Sequence, residues 1–329
     1  MKPVLITMGD AAGIGPEIIV RAFGLGELKG CVVVGDAAVL RRSGAPMLAV
    51  IDHPADLADV PPHCLPLLQP TGLPAGLAAL PLGVVDARNG AAAARFVEVA
   101  VRLVQAGAAS AIVTAPVHKE ALAAAGVPYP GHTEMLQALA AAPGAPLPPV
   151  RMMLANAELR VVLVTIHQSV RRALEGITFD AVLDTLRIAR RAAATWGLRK
   201  PRIAVAGLNP HAGEGGLFGD EEVRHIAPAV RAAVAEGIDA RGPFAPDTVF
   251  MRARRGEFDI VVAMLHDQGL IPVKYLGIEQ GVNVTLGLPF VRTSPDHGTA
   301  FDIAGKGLAE TDSLVAALRL AQRMVASAA

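Results

Sequence analysis

The chain has 329 residues, of which 52% are hydrophobic, and this length predicts two domains rather than one core. Basic and acidic residues number 30 each, so the formal net charge is zero, and no run of like charge stands out. This balance argues against nucleic acid or an anionic membrane as a partner. With only two cysteines and no N-terminal signal-peptide pattern, we expect a cytoplasmic protein without disulfides.

Short apolar runs rich in β-branched residues alternate with longer segments of helical spacing. The runs predict strands at residues 4–7, 31–34, 111–114, 161–166, 203–206 and 260–265. The longer segments predict helices at 91–106, 179–196, 221–236 and 312–328. Strands alternating with helices are typical of βαβ units, so the fold class is α/β with a mainly parallel sheet. Because the strands are continuously apolar, we expect both faces of the sheet to be covered.

The first strand runs into a loop with several glycines, TMGDAAGIGPEII, at residues 7–19. The loop lacks the G-x-G-x-x-G pattern, and no phosphate-binding P-loop occurs in the chain, so neither common nucleotide fingerprint is present. Two interpretations stay open. The backbone N–H groups at the helix start bind an anion, or the glycines only permit a tight turn between strand and helix.

Four predicted strands are followed closely by a histidine, at His118, His167, His211 and His266. In open α/β sheets, ligands bind outside the carboxyl ends of the strands, so these side chains can converge there. Three neutral imidazoles suit a divalent metal and leave a position open for substrate. The alternative for each is a loop histidine that faces solvent, and the spacing does not decide between them.

Two further segments carry candidate anion-binding residues. YPGHTEMLQALA, at 129–140, places His132 and Thr133 at a helix start, with Thr133 as the expected N-cap. GVNVTLGLPFVRTSPDHG, at 281–298, adds Asn283 and Arg292. The next loop, HGTAFDIAGKGLA, contains Asp302, whose carboxylate suits two ribose hydroxyls; otherwise it is a flexible C-terminal loop.

Six motifs, in order and spanning nearly the whole chain, resemble the 4-hydroxythreonine-4-phosphate dehydrogenase family. They are GDAAGIGPE, TAPVHKEAL, PGHTE, LNPHAGEGGLFGDEE, MLHDQGLIPVKYLG and GVNVTLGLPFVRTSPDHGTAFDIAGKG. The first and last are also similar to isopropylmalate dehydrogenases, which bind NAD through a histidine–glycine–aspartate loop. The resemblance implies a two-lobed α/β/α fold like theirs. The first lobe would be residues 1–130 plus 283–329, and the second lobe 131–282.

The resemblance also implies roles for particular residues. It places the metal ligands at His167, His211 and His266. It places substrate contacts at His132, Thr133, Lys274, Asn283 and Arg292. It places the NAD contacts at His297, Gly298, Ala300 and Asp302. Lys274 and Asp267 are the candidate catalytic residues: the lysine handles a proton or pairs with the substrate carboxylate, and the aspartate orients a ligand or holds substrate. The implied cofactors are NAD, with NADP possible, and a divalent ion (zinc, magnesium or cobalt).

The implied reaction is oxidation of a phosphorylated 3-hydroxy acid followed by loss of CO₂. The family is dimeric, with the active site at the subunit interface and metal ligands shared between partners, His167 coming from the partner. The first loop reads Gly9-Asp10-Ala11, where the family usually has proline third. TMGD and YPGHTE resemble a branch acting on D-threonate or D-erythronate 4-phosphate; another branch oxidises a dihydrodiol carboxylate. Two alternatives from other functional classes are a non-catalytic phosphometabolite-binding protein and a metal-dependent hydrolase.

Overall fold

The computed structural model describes residues 2–142, 144–277 and 280–328. The chain divides into two compact units, and the first is discontinuous in sequence. It comprises Met1–Pro149 and Leu288–Val325, while the second comprises Val150–Gly287 and the last four residues, Ala326–Ala329. The first boundary falls after residue 149 rather than after the predicted residue 130, so the segment containing His132 belongs to the first unit.

The first unit contains a sheet of six parallel strands in the order β3–β4–β2–β1–β5–β12. Numbered in chain order, they are β1 (Val4–Thr7), β2 (Cys31–Val34), β3 (Leu48–Val50), β4 (Leu65–Leu68), β5 (Ala111–Thr114) and β12 (Val291–Pro295). The residues of β1, β2, β4 and β5 are buried throughout. This agrees with continuous apolar strands in a sheet that is covered on both faces.

Among the described residues, six α-helices belong mainly to the first unit. They are α1 (Gly15–Gly24), α2 (Ala37–Arg42), α3 (Ala87–Gln105), α4 (Lys119–Ala124), α5 (His132–Ala140) and α11 (Asp312–Ala328). Aspartate caps fix two of their starts: Asp36 accepts from the N–H of Val39, and Asp86 from that of Arg88, each at 2.8 Å. The predicted cap Thr133 is wrong, because α5 begins at His132 and Gly131, two residues before Thr133, occupies the cap position.

The second unit has a mixed six-stranded sheet in the order β11–β6–β7–β10–β8–β9. The strands are β6 (Arg151–Ala155), β7 (Arg160–Leu163), β8 (Ile203–Ala206), β9 (Ala240–Phe244), β10 (Ile260–Ala263) and β11 (Val282–Leu286). The pairs β11–β6 and β6–β7 are antiparallel, and the other three pairs are parallel. The predicted mainly parallel α/β fold is therefore confirmed, with two antiparallel pairs added.

The described part of the second unit contains five α-helices, and its apolar core packs around β7, β8 and β10. The helices are α6 (Val170–Gly176), α7 (Phe179–Ala193), α8 (Ala227–Ala235), α9 (Pro246–Arg254) and α10 (His266–Tyr275). Side chains of Phe250 and Val273 bring α9 and α10 into that core. Ser169 and Thr178 cap α6 and α7 through their side-chain oxygens. Of the helices the structure describes, none is long and apolar enough to cross a membrane.

Candidate active site

The three predicted metal ligands follow three neighbouring parallel strands of the second unit. His167 lies after β7, His211 after β8 and His266 after β10, and β10 lies between the other two strands. Each strand ends three to five residues before its histidine, so the imidazoles sit on the connecting segments. His266 is the first residue of α10. Because the three strands run parallel, their connecting segments leave the same edge of the sheet.

His167 and His266 are brought together within one chain. Their ring centroids are 5.5 Å apart, and the ring planes meet at 48°. Two imidazoles that share one tetrahedral Zn²⁺ through nitrogens at 2.0–2.1 Å hold their centroids roughly 5 Å apart, so this pair fits a common ion. The resemblance implied instead that His167 reaches the metal from the partner subunit.

The ring contact that His211 makes is with Phe218 rather than with His167 or His266. His211 is exposed, and its ring centroid lies 6.1 Å from that of Phe218. Within the described parts of the chain, no group of three or more His, Cys, Asp or Glu side chains is placed to hold a metal ion. The structure thus assembles two of the three predicted ligands and leaves His211 in a neighbouring loop.

The loop that carries His211 has an unusual backbone held by a buried carboxylate. Residues 211–215 all have positive φ, from 44° to 79°, which is a strained state for the non-glycine members. Glu222 is only 3% exposed, and its Oε1 accepts the backbone N–H groups of Leu208 and Asn209, both at 2.7 Å. Its Oε2 accepts from Asn209 Nδ2 at 2.9 Å. Sequence reasoning missed Glu222 because nothing in GDEE distinguishes it from Glu221.

Asp267 is placed to orient His266. Its Oδ1 lies 2.7 Å from Nδ1 of the histidine, while 83% of its side chain is exposed. A carboxylate bound to Nδ1 leaves Nε2 as the nitrogen that faces a ligand. Gln268, which the sequence did not single out, fixes the same turn. Its Oε1 accepts from the N–H of Met264 at 2.8 Å, and its Nε2 donates to Gly207 O at 2.7 Å.

The two other predicted substrate contacts of the second unit lie on regular elements. Lys274 is in the last turn of α10 and Asn283 is on β11, and both are half-buried. The C-terminal half of α10 is attached to the β6–β7 turn, since Asn156 Nδ2 donates to Val273 O at 3.2 Å. Lys274 therefore follows directly after a residue, Val273, that is fixed by core packing and by a hydrogen bond.

A buried cation lies in the first unit, at Arg292. This residue of β12 is 3% exposed, and its Nη2 donates to Thr114 Oγ1 of β5 at 2.6 Å. Burial lowers the pKa of Arg292 to about 10, which still leaves the guanidinium charged at neutral pH. A charged guanidinium inside the protein is suited to an anionic ligand that can accept two hydrogen bonds.

His132 lies within electrostatic range of Arg292, at the start of α5. Its Nε2 is fully buried and has no hydrogen-bond partner among the described residues. Burial, and after it the charge on Arg292, lower the pKa of His132 well below its usual range. The imidazole is therefore neutral at pH 7, and the pair presents one positive charge beside a helix N-terminus that also favours anions.

The neutral state of His132 predicts a loss of stability in acid. Its pKa is lower in the folded chain than in the unfolded one, so only the unfolded chain takes up a proton just below pH 6.5. The contribution of the neutral His132 to the free energy of unfolding is intact above pH 6.5. It is lost as the pH falls below that value, by about 1.4 kcal/mol per pH unit. Between pH 7.5 and 5.5, the free energy of unfolding measured in urea should fall more for the native chain than for His132→Asn.

The matched control for this titration is His53, an exposed histidine of the same unit. His53→Asn should lose as much stability in acid as the native chain does. Equal losses in His132→Asn and in the native chain would contradict the assignment of a buried, neutral imidazole at position 132.

The predicted NAD residues lie on one loop, residues 296–307, between β12 and α11. His297 Nδ1 lies 3.0 Å from Gly298 O, Gly298 faces open space, and Asp302 is exposed. Ala300 has φ 43°, a left-handed conformation that a non-glycine residue adopts only when its surroundings hold it. Exposed polar groups and an open glycine are compatible with a bound nucleotide along this loop.

The first glycine loop supports the loop at 296–307 and uses its own N–H groups to do so. Ala12 N donates to Asp10 Oδ1, and Ile14 N donates to Thr299 O at 3.0 Å. A Cβ on Gly13 would lie 2.9 Å from Thr299 O, so this close approach requires glycine. Of the two interpretations left open by the sequence, these contacts favour the tight turn.

Comparison with known proteins gives full-length matches. The model of a family described as pyridoxal phosphate biosynthetic protein PdxA matches residues 27–321. The 4-hydroxythreonine-4-phosphate dehydrogenase of Beijerinckia indica is 52% identical over 98% of this chain and 95% of that protein. The D-threonate 4-phosphate dehydrogenase of Pectobacterium atrosepticum is 45% identical over 98% of this chain and 99% of its own. A crystal structure of 4-hydroxythreonine-4-phosphate dehydrogenase from Klebsiella pneumoniae superposes with a TM-score of 0.89 at 45% identity, covering 99% and 100% of the chains.

Proposed function

The chain belongs to the PdxA family of pyridoxal phosphate biosynthetic proteins, and we propose that it is a 4-hydroxythreonine-4-phosphate dehydrogenase. The predicted family membership is thereby confirmed. The observation that carries the proposal is the 52% identity, over 98% of the chain, with a protein of that name. Its substrate would be oxidised at a secondary alcohol by NAD and would then lose CO₂.

The buried Arg292 supports a phosphorylated substrate. Its charge and its planar fork suit two phosphate oxygens, and the neutral His132 can donate or accept one further hydrogen bond. Thr133 lies in the first turn of α5, where backbone N–H groups are also available to an anion. In the second unit, Lys274 and Asn283 are assigned to the remaining polar groups of the substrate.

The histidine pair supports a divalent ion. His167 and His266 fit one ion, and His211 is assigned as the third ligand. When bound, a divalent ion lowers the pKa of a hydroxyl group and stabilises negative charge that develops on oxygen. Asp267 keeps Nε2 of His266 directed outward, and Lys274 exchanges the proton that the hydroxyl loses. Zinc, magnesium and cobalt remain the candidates.

The loop at 296–307 is assigned to NAD. His297, Gly298 and Ala300 would line the adenosine, and the exposed Asp302 would accept two ribose hydroxyls. The same carboxylate would repel the phosphate of NADP if it bound that ribose, which favours NAD. In the reaction the substrate carbon loses a hydride to NAD⁺ and the hydroxyl loses a proton. In the resulting 3-keto acid the bond between the carboxylate and C2 then breaks. The carboxylate leaves as CO₂, and C2 takes up a proton to give the ketone.

The proposal includes a homodimer. Support comes from large apolar side chains that are exposed on α10 and on the loop after His211 in the single chain. Ile271 is 65% exposed, Tyr275 89% and Leu217 73%. Exposed apolar groups of this size are typical of surfaces that a partner covers.

A D-threonate 4-phosphate dehydrogenase is the second candidate, favoured by the 45% identity with the Pectobacterium protein. The substrates of the two candidate enzymes share the phosphate group and differ at the carbon next to the carboxylate. The test compares 4-hydroxythreonine 4-phosphate, D-threonate 4-phosphate and D-erythronate 4-phosphate as substrates, with NAD or NADP, following NADH absorbance. We expect the highest kcat/KM with 4-hydroxythreonine 4-phosphate, and only with divalent ion present.

Each other outcome of this panel selects a different reading. A higher kcat/KM with D-threonate 4-phosphate would replace the proposal by the second candidate. Binding of all three compounds without any NADH formation would identify a phosphometabolite-binding protein instead. Release of inorganic phosphate without NADH would identify a hydrolase.

A further inference from the structure

His118 is a histidine of the first unit that the proposed reaction does not use. It precedes α4 at the cap position and makes no side-chain capping hydrogen bond. Its ring instead stacks on Phe301, with 4.6 Å between centroids and 23° between planes. Phe301 lies between Ala300 and Asp302 in the loop assigned to NAD. The stack therefore joins the segment after β5 to the centre of the nucleotide loop.

A buried carboxylate lies beside this histidine. Asp10 is 1% exposed, and its Oδ1 accepts the N–H of Ala12 at 2.9 Å. Burial raises the pKa of Asp10, against the lowering effects of the Ala12 N–H and of His118. Oδ2 of Asp10 and Nδ1 of His118 are both buried, and neither has a hydrogen-bond partner among the residues described. Asp10 therefore lies within electrostatic range of His118.

The backbones around the stack leave little freedom. The N–H of Asp10 donates to Pro116 O at 2.9 Å, and a Cβ on Gly9 would lie 2.3 Å from that oxygen. On the loop side, a Cβ on Gly83 would lie 2.6 Å from Phe301 O. Phe301 is thus held by its backbone against Gly83 and by its ring against His118.

We propose that His118 is a positioning residue for NAD binding. Its ring supports Phe301 and so holds Ala300 and Asp302 in the conformation that accepts the adenosine half of the cofactor. This inference rests on the proposed function, since it takes the loop at 296–307 as the NAD site. The left-handed backbone of Ala300 is the strained element that such a support would maintain.

The test measures NADH affinity and steady-state kinetics in the full chain. The stacked pair of rings stabilises the loop conformation that binds the cofactor. His118→Ala should therefore raise the Kd for NADH and the KM for NAD about threefold to tenfold. The KM for the phosphorylated substrate should stay within about twofold. His118→Phe keeps a ring against Phe301 and should restore most of the NADH affinity. His53→Ala, which changes an exposed histidine of the same unit, should behave as the native chain.

Phe301→Leu tests the same contact from the other ring and serves if His118→Ala does not fold. Combined with His118→Ala, it should add little further loss, because both changes remove one interaction. Native NADH affinity in either single variant would overturn the inference and leave the proposed function standing, as would an equal rise in both KM values. If the native chain binds no NADH, the proposed function and this inference fail together.

Discussion

Replacing His266 with alanine is expected to abolish metal-dependent NAD reduction while the chain still folds. The ring centroids of His266 and His167 are 5.5 Å apart, and Asp267 orients the His266 ring through its contact with Nδ1. An ion that supplies several kcal/mol of charge stabilisation cannot be held productively once one of these imidazoles is lost. The loss in kcat/KM should be on the order of a thousandfold. Calorimetric titration with Zn²⁺ should show weaker binding in the same variant.

Two variants calibrate this result. Asp267→Asn keeps the ligand but weakens its orientation, and it should cost about tenfold to a hundredfold in metal affinity or activity. His225→Ala changes a histidine of the turn Glu222–Ile226 in the same unit and should leave metal binding unaltered. Full activity in His266→Ala, or undiminished activity of the native chain after chelation, would remove the metal from the mechanism.

The strands that the sequence predicted best are those buried on both faces. Residues 4–7, 31–34, 111–114 and 203–206 coincide with β1, β2, β5 and β8, because short, mostly apolar runs rich in β-branched residues suit a parallel sheet that is covered on both faces. Strand β9, with the sequence ARGPF, was missed since arginine, glycine and proline are poor strand formers. Strand β12 was missed for a related reason: its buried residues include Arg292, Thr293 and Ser294.

The predicted helix at 221–236 shows a different limit. Its first turn, Glu222–Ile226, is wound as a π-helix before α8 begins. Buried Glu222 reaches from this turn to the loop of His211, and π-turns often occur where a function requires a displaced side chain. Periodicity predicts that a helix is present, but the contacts that distort it come from residues distant in sequence.

The candidate site divides in the same way. Family motifs supplied the residues, and the alternation of strands and helices predicted the sheet edge where they lie. The spatial order β7–β10–β8, which brings His167 beside His266, follows from strand pairing that spacing along the chain does not encode. Asp10 and Gln268 were present in the recognised motifs, yet their roles depend on Oδ1 and Oε1 accepting backbone N–H groups that only the folded chain brings near.

Replacing Arg292 with glutamine should remove affinity for the phosphate group while leaving NAD binding intact. The guanidinium is buried and charged, so its hydrogen bonds to a phosphate form with little competition from water. Loss of a buried, charge-assisted pair costs about 2–5 kcal/mol, which corresponds to a rise in KM for the phosphorylated substrate of roughly thirtyfold or more. Arg292→Lys keeps the charge but not the planar fork of the guanidinium. Its KM for the phosphorylated substrate should therefore lie between those of the native chain and Arg292→Gln.

The readout that separates phosphate binding from a structural role is protection by inorganic phosphate. Phosphate should raise the Tm of the native chain and not that of Arg292→Gln, because a ligand stabilises only the state that binds it. Arg95→Gln, which removes a partly exposed arginine paired with Glu98, should retain the protection. If Arg292→Gln were protected as well as the native chain, or if its KM rose equally for NAD, the phosphate would have to be assigned to another part of the protein.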